Sequence, residues 1–366
     1  MKICFILQDT GRIYGAQRAT LDLIEGLQQS GRCETHVLLF QEIRSAPGPD
    51  QYRKALGELA GGLETVSVAG AYSRPLITAI REVMGRQQAD VVHSVGYKAD
   101  LHAGKAAGFG KRWPLVSTVH GWFFLPDFRE RLYYRINLWT LKRFQRVIVL
   151  SRYYEQHLGE RGFPESRLRR IPSGFRVQEK TPSPSSEARY QVGVLSRFTG
   201  EKNLSQYLDA LKIVHAARPQ DRFILAGEGP EKDFLERFRR GCSLDQVVDM
   251  PGYVDRHEFF KHVQIYVNCS RIENLPYTVL EAMESSLPVV ATKVGGLPDL
   301  VAHGQTGILV EPGDPNALAQ ALIRLLEARS TRMDYGRAGR EKLEREFSPE
   351  QAVASHLKLY EELLCP

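Results

Sequence analysis

The chain has 366 residues, too many for one ordinary hydrophobic core and suited to two domains of roughly 150–180 residues. Hydrophobic residues make up 43% and charged residues 25%, which excludes a disordered chain, and no apolar run approaches the ~18–20 residues that span a bilayer. The net charge of +6 is uneven: residues 1–176 hold 26 Lys and Arg against 16 Asp and Glu, and the remainder holds 23 against 27. A basic first half suits an anionic surface or substrate. The opening MKICFILQDTGRIYG is too short in its apolar run for a signal peptide, and Cys4, Cys33, Cys242, Cys269 and Cys365 contain no C-x-x-C pair. Reduced thiols and a cytoplasmic protein are the expectation.

In the first half, strand-like runs occupy 3–7, 36–40, 91–94, 115–119 and 147–150, nearly continuously apolar as in strands buried on both faces of a parallel sheet. Helical stretches at 16–29, 76–88, 98–107 and 131–144 alternate with them. Thr181-Pro-Ser-Pro-Ser-Ser-Glu187 offers no apolar face and reads as a linker. The alternation then restarts, with strands at 191–195, 222–226, 265–268, 288–291 and 307–310 and helices at 204–217, 231–239, 277–285, 316–328 and 348–364. The α/β pattern implies two Rossmann-like, doubly wound parallel-sheet domains facing across a cleft. The expected divisions are an N-terminal acceptor-side domain at 1–176, a linker at 177–190 and a C-terminal domain at 191–347. The last segment, 348–366, is expected to cross back onto the first domain. Ligands should sit at the carboxyl ends of the strands.

Three loops at such strand ends carry the chemistry. After the first strand, Gly11-Arg-Ile-Tyr-Gly15-Ala-Gln-Arg18 lets backbone approach a ligand, but its spacing is not the dinucleotide fingerprint, and an ordinary turn reads equally well. After the first strand of the second half, Ser196-Arg197-Phe-Thr-Gly-Glu-Lys202-Asn203 places two cations where amide groups can converge on a diphosphate. Glu201 there is expected to pair with Lys202 or cap the following helix. The third block, Arg271-Ile-Glu273-Asn-Leu-Pro-Tyr-Thr-Val-Leu-Glu281, spaces two carboxylates by seven residues. Glu281 lies in an apolar helical stretch where an unpaired carboxylate is costly, and ribose hydroxyls would satisfy it. The pair is equally compatible with acid/base hydrolysis. Val294-Gly295-Gly296 would add backbone N–H groups.

RFTGEKN, AGEGP at 226–230, the E-x7-E block, LPVVATKVGGLPDLV and Ser117-Thr-Val-His120-Gly-Trp together resemble the retaining family 4 glycosyltransferases of GT-B fold. The resemblance runs almost end to end and is strongest over 193–315. It implies that Arg197 and Lys202 hold the donor diphosphate and that Glu281 binds the ribose. Glu273 then faces the sugar beside the backbone of Asn274 and Leu275, Gly15 lets its loop approach the phosphates, and His120 lies near the transferred sugar. Two departures stand out: Tyr14-Gly-Ala-Gln17 replaces the family's frequent G-G-A-E, and Ser173-Gly174 replaces its N-G.

The implied activity is transfer of a sugar, with retention, from a nucleotide diphosphate-sugar to a glycan or lipid-linked acceptor in cell-envelope or extracellular polysaccharide synthesis. The alternatives are a sugar-nucleotide epimerase of the same fold and a non-catalytic nucleotide-sugar-binding protein. No metal and no cofactor beyond the co-substrate is expected, because the chain has no D-x-D and no His/Asp cluster with ligand spacing. Residues 129–146 carry six basic side chains and one acidic one among aromatics. They suit peripheral contact with an anionic membrane surface, or alternatively a solvated basic face over a packed helix. No motif points to a nucleic-acid partner.

Overall fold

The computed structural model describes residues 1–43, 50–70, 72–121, 128–178 and 188–365, so the 181–187 linker and Trp122 lie outside the described residues. The chain divides into two compact units, Met1–Arg176 with Phe347–Pro366, and Val177–Glu346. Each is a parallel sheet with helices on both faces.

The first unit runs β1 (Lys2–Gln8), α1 (Gly15–Gln29), β2 (Glu34–Glu42), α2 (Gln51–Leu59), β3 (Gly62–Val68), α3 (Arg74–Gln87) and β4 (Val91–Val95). It continues through α4 (Tyr97–Ala106), β5 (Leu115–Val119), α5 (Phe128–Leu141), β6 (Arg146–Val149), α6 (Arg152–Gly159) and β7 (Leu168–Arg170). The strand order is β3-β2-β1-β4-β5-β6-β7, all parallel. Side-chain alternation along β1 fills both faces: Cys4 and Ile6 join the core under α3 and α4, while Ile3, Phe5 and Leu7 join the core under α1 and α2.

The second unit contains β8 (Tyr190–Leu195), α7 (Leu204–Ala217), β9 (Phe223–Ala226), α8 (Lys232–Gly241), β10 (Val248–Asp249), α9 (Arg256–Lys261) and β11 (Val263–Asn268). Then follow α10 (Tyr277–Glu284), β12 (Val289–Thr292), α11 (Leu297–Leu300), β13 (Gly307–Val310), α12 (Pro315–Glu327) and α13 (Arg329–Glu346). Its order is β10-β9-β8-β11-β12-β13, again parallel.

The last helix, α14 (Pro349–Leu364), belongs to the first unit. Val353, Leu357, Leu359 and Tyr360 complete the core on the α1 face. Two glycines leave room for it: a Cβ on Gly26 would meet Val353 Cγ2 at 2.5 Å, and one on Gly174 would meet Pro349 Cα at 2.6 Å. The Ser173-Gly174 pair is therefore a seat for α14.

The strands that the apolar runs do not announce, β3, β7 and β10, are all sheet edges. Edge strands are short or charged, which removes the continuous apolar signal, as Leu168-Arg-Arg170 illustrates. Helix α13 went unannounced for a related reason, since only Gly336, Gly339 and Leu343 are buried along its 18 residues. All five cysteines are free thiols.

Candidate active site

In the second unit the strand order reverses direction between β8 and β11, because α7 and α10 leave these neighbours for different faces. The carboxyl ends of these two strands are thus a topological switch point, the place where open α/β sheets bind ligands. Both sharp sequence blocks lie there. The loops are stitched together by the Arg271 N–H donating to Glu201 O at 2.8 Å.

Lys202 ends a single 3₁₀ turn, Gly200–Lys202, and the left-handed Asn203 (φ 50°) redirects the chain into α7. Lys202 Nζ donates to Glu273 Oε1 at 2.6 Å, and neither side chain is more than 17% exposed. The same oxygen accepts from Ser270 Oγ at 2.8 Å and from Asn268 Nδ2 at 3.3 Å. Among the described residues no donor reaches Glu273 Oε2, so one oxygen is clamped and the other is left to accept from a ligand. Asn274 and Leu275, next in the chain, are buried.

Arg197 is half exposed, with Nη2 3.4 Å from Glu201 Oε1, and Thr199 Oγ1 donates to that oxygen at 2.7 Å. This corrects the expected role of Glu201. It steadies Arg197 instead of pairing with Lys202 or capping α7. The two cations of the loop are thus each partnered by a different carboxylate.

Glu281, on α10, accepts from Arg256 Nη1 at 2.8 Å. Part of the cost of a carboxylate in this apolar stretch is therefore met inside the protein, by Arg256, before any ligand hydroxyl reaches it. Burial is the largest single influence on Arg256 and works against its charge, but the hydrogen bond to Glu281 together with the negative charges of Glu281, Glu284 and Asp255 outweighs it and holds the guanidinium above its ordinary value. Sequence reading missed Arg256 because it comes from α9, 25 residues away, with no spacing rule linking it to Glu281. Tyr266 of β11 lies beside both carboxylates. Burial keeps its phenol from ionising, and the negative charges of Glu273 and Glu281 push the same way.

The glycine-rich turns act as spacers between loops. Gly295 (φ +51°) passes so close that a Cβ would lie 1.7 Å from Glu273 O, and Gly227 (φ +134°) would meet Ser196 O at the same distance. The Gly296 N–H donates to Glu273 O at 3.3 Å, so this amide orients the carboxylate-bearing loop and is not spare for a phosphate.

In the first unit Gly15 opens α1 at the carboxyl end of β1, and Gln17 Oε1 accepts from the Tyr14 N–H at 3.3 Å. The residue standing where the family often has Glu thus caps its own helix. His120 follows β5, and burial pushes its imidazole down to about 4. It lines a cavity with His93, whose Nδ1 is 2.7 Å from Tyr360 Oη and whose Nε2 is 2.8 Å from Thr118 Oγ1. On α5, Phe128, Leu132, Tyr133 and Trp139 are exposed, while Asn137, Thr140 and Leu141 face inward. No helix among the described residues is long and apolar enough to cross a membrane. Among the same residues no group of three His, Cys, Asp or Glu side chains is placed to hold a metal ion.

Two family profiles match. Glycosyltransferase Family 4 takes in residues 13–179, and Glycosyl transferases group 1 takes in residues 176–342. The sulfoquinovosyl transferase SQD2 of Arabidopsis thaliana is 35% identical over 149 residues, which is 40% of this chain and 29% of that protein. The Bacillus subtilis glycosyltransferase YqgM is 28% identical over 262 residues, 68% of this chain and 72% of that one. The chain thus spans less than a third of the plant enzyme and nearly three quarters of the bacterial one. Among solved structures, Anabaena Alr3699/HepE in complex with UDP superposes with a TM-score of 0.84 at 22% identity, covering 99% of this chain and 100% of that one. With two parallel Rossmann-like sheets and the two profiles matched one after the other over residues 13–342, the chain belongs to the family 4 (group 1) glycosyltransferases of GT-B fold.

Proposed function

We propose that the protein transfers a sugar, with retention and without a metal ion, from a nucleotide diphosphate-sugar to a glycan or lipid-linked acceptor in cell-envelope or extracellular polysaccharide synthesis. The observation that carries this reading is the β8/β11 switch point, where Lys202 and Glu273 are fixed on each other and Arg197 stands half exposed on the loop of Lys202. Relatives of the same fold are known with UDP and with UDP-glucose bound, which supports a sugar nucleotide as donor.

In this mechanism the bond from the anomeric carbon to the diphosphate oxygen breaks, and the acceptor oxygen attacks on the same face. The acceptor proton passes to the departing phosphate oxygen, so no protein base is needed. Negative charge grows on the diphosphate as the bond breaks, and Arg197 and Lys202, already oriented, stabilise it most at that moment. Glu273 Oε2 accepts from hydroxyls of the sugar, Glu281 accepts from the ribose, and His120 faces the transferred sugar.

For the acceptor, the α5 surface alternates exposed Phe128, Leu132 and Trp139 with Arg129, Arg131 and Arg135, a pattern that suits an anionic bilayer. Arg143 stacks on Trp139, 3.6 Å from the ring centroid, and adds its charge to that surface. Sedimentation with anionic but not neutral liposomes is expected. Equal binding to both removes the membrane contact.

A panel of nucleotide sugars without acceptor tests the activity. Slow release of nucleoside diphosphate and a sugar that first appears with the donor's anomeric configuration is expected. An isomerised sugar nucleotide would instead identify an epimerase, and binding without turnover an inert binder.

A further inference from the structure

Between the ends of β4 and β5 and the N-terminal half of α14 lies a cavity of about 30 Å³, whose polar lining is Thr20, Asp22, His93, Thr118, His120, Ser173 and His356, Asp22 being a carboxylate that accepts and does not donate. That is more room than the ~10–15 Å³ a water molecule needs. Three imidazoles meet here. His93 spends both nitrogens on Tyr360 and Thr118. His356, on α14, turns Nδ1 back onto its own helix and donates to Ala352 O at 2.8 Å. Its ring stacks against His93, with centroids 6.0 Å apart.

Burial holds His356 neutral, with its pKa pushed down to about 4. With the proton on Nδ1, Nε2 must be an acceptor, and it is buried without a hydrogen-bond partner. A buried acceptor left bare is costly, and it points to a donor in the cavity. Protein groups do not supply one. Thr20 already donates to Ala16 O at 2.9 Å, and the Thr118 hydroxyl, which sits on His93 Nε2, does not reach His356 Nε2. His120 and Ser173 remain as donors on the cavity wall, and neither closes on His356 directly.

We propose that a water molecule bound in this cavity donates to His356 Nε2 and accepts from the His120 ring N–H and the Ser173 hydroxyl. Three partners are the usual number for a buried water. The C-terminal helix then fixes both the orientation and the tautomer of His120: one ring nitrogen carries its proton toward the cavity, and the other presents its lone pair outward. His356 acts as a positioning residue, in the way that partners behind a functional histidine set its tautomer. The kinetic consequence rests on the reading of His120 as a sugar-facing group. The structural claim does not.

The test uses the full chain labelled with nitrogen-15 histidine near neutral pH, with the His120 signals identified by their loss in His120→Gln. His356→Phe keeps the ring volume and removes the acceptor. It is expected to shift the two ring-nitrogen signals of His120 towards a mixture of tautomers. Donor turnover should fall about tenfold with donor affinity unchanged, as expected for a small misplacement of a reacting group. His356→Gln, which restores a hydrogen-bonding group near the Nε2 position, should recover both. Unchanged His120 signals in folded His356→Phe protein overturn the proposal.

Should that variant not fold, a high-resolution crystal structure of the unaltered chain decides. An ordered water within hydrogen-bond distance of His356 Nε2 supports the proposal, and a dry cavity ends it. A signal shift in a protein that turns over no sugar nucleotide would uphold the water-mediated link while removing the transferase reading.

Discussion

Glu273 accepts from Lys202, Ser270 and Asn268 on the same oxygen. A carboxylate clamped in this way cannot rotate freely, so its second oxygen becomes a fixed acceptor for a hydroxyl. Glu273→Gln breaks the ion pair with Lys202 and weakens the hold on that oxygen. Turnover should drop by about 10²-fold with a smaller change in donor affinity, since the fixed acceptor matters most as charge moves. Steady-state kinetics beside calorimetric titration with the donor checks this.

Arg256 makes a different kind of contribution. Arg256→Ala leaves Glu281 largely buried and without the Arg256 cation, which should cost about 1–3 kcal/mol in thermal stability. It should also weaken nucleoside diphosphate binding, whereas Arg197→Ala should spare binding and lower turnover. An Arg197 variant that loses affinity and keeps kcat would reverse these assignments.

At the scale of elements, loops press together where glycine has no side chain. Gly295→Ala would place a Cβ 1.7 Å from Glu273 O at a φ of +51°, so both strain and collision displace the carboxylate-bearing loop. A loss of about 2 kcal/mol or more is expected from the melting temperature. Gly174→Ala acts elsewhere: its Cβ would meet the Pro349 backbone at 2.6 Å and push α14 from its seat. Faster proteolytic removal of residues after Phe347, with the nucleotide affinity of the second unit unchanged, is the expected result.

The E-x7-E block was legible because its loop and helix are contiguous in sequence, so spacing alone implied proximity. Arg256 was not, because its meeting with Glu281 depends on where α9 lies relative to α10, and Asn268 and Ser270 were not, because only the fold of the turn after β11 aims them at the Glu273 carboxylate. Three of the four edge strands, β3, β7 and β10, stayed hidden because an edge needs no continuous apolar run, whereas β13 kept one in Gly307-Ile-Leu-Val310.

Over the whole molecule, acid should destabilise the first unit, with two opposing contributions. His356 is held neutral at about 4 against an unfolded value near 6.5, so its contribution is present above 6.5 and lost as pH falls toward 4, at most about 3 kcal/mol. His93 is pushed the same way by burial.

Asp100 opposes them. Burial raises it to about 6, despite hydrogen bonds from Ser94, Asn137 and Ser117. Its ionised form is the disfavoured one in the fold, so protonation on acidification relieves a cost. Denaturant midpoints between pH 7 and pH 4 should therefore fall in the unaltered protein, and fall more steeply in Asp100→Asn, which lacks the compensating protonation. A flat profile in both would show that the histidine cluster is open to water.

Taken by itself, the sequence determined the number of sheets, their parallel sense, most helices and the loops that carry the cations and carboxylates, because apolar periodicity and glycine placement are local properties of the chain. Tertiary structure alone decided that Lys202 meets Glu273 and that Arg256 meets Glu281. It also set the C-terminal helix against the first sheet, with His356 beside His93. Such pairings join residues up to hundreds of positions apart, and only the order of strands in a sheet brings them within hydrogen-bond distance.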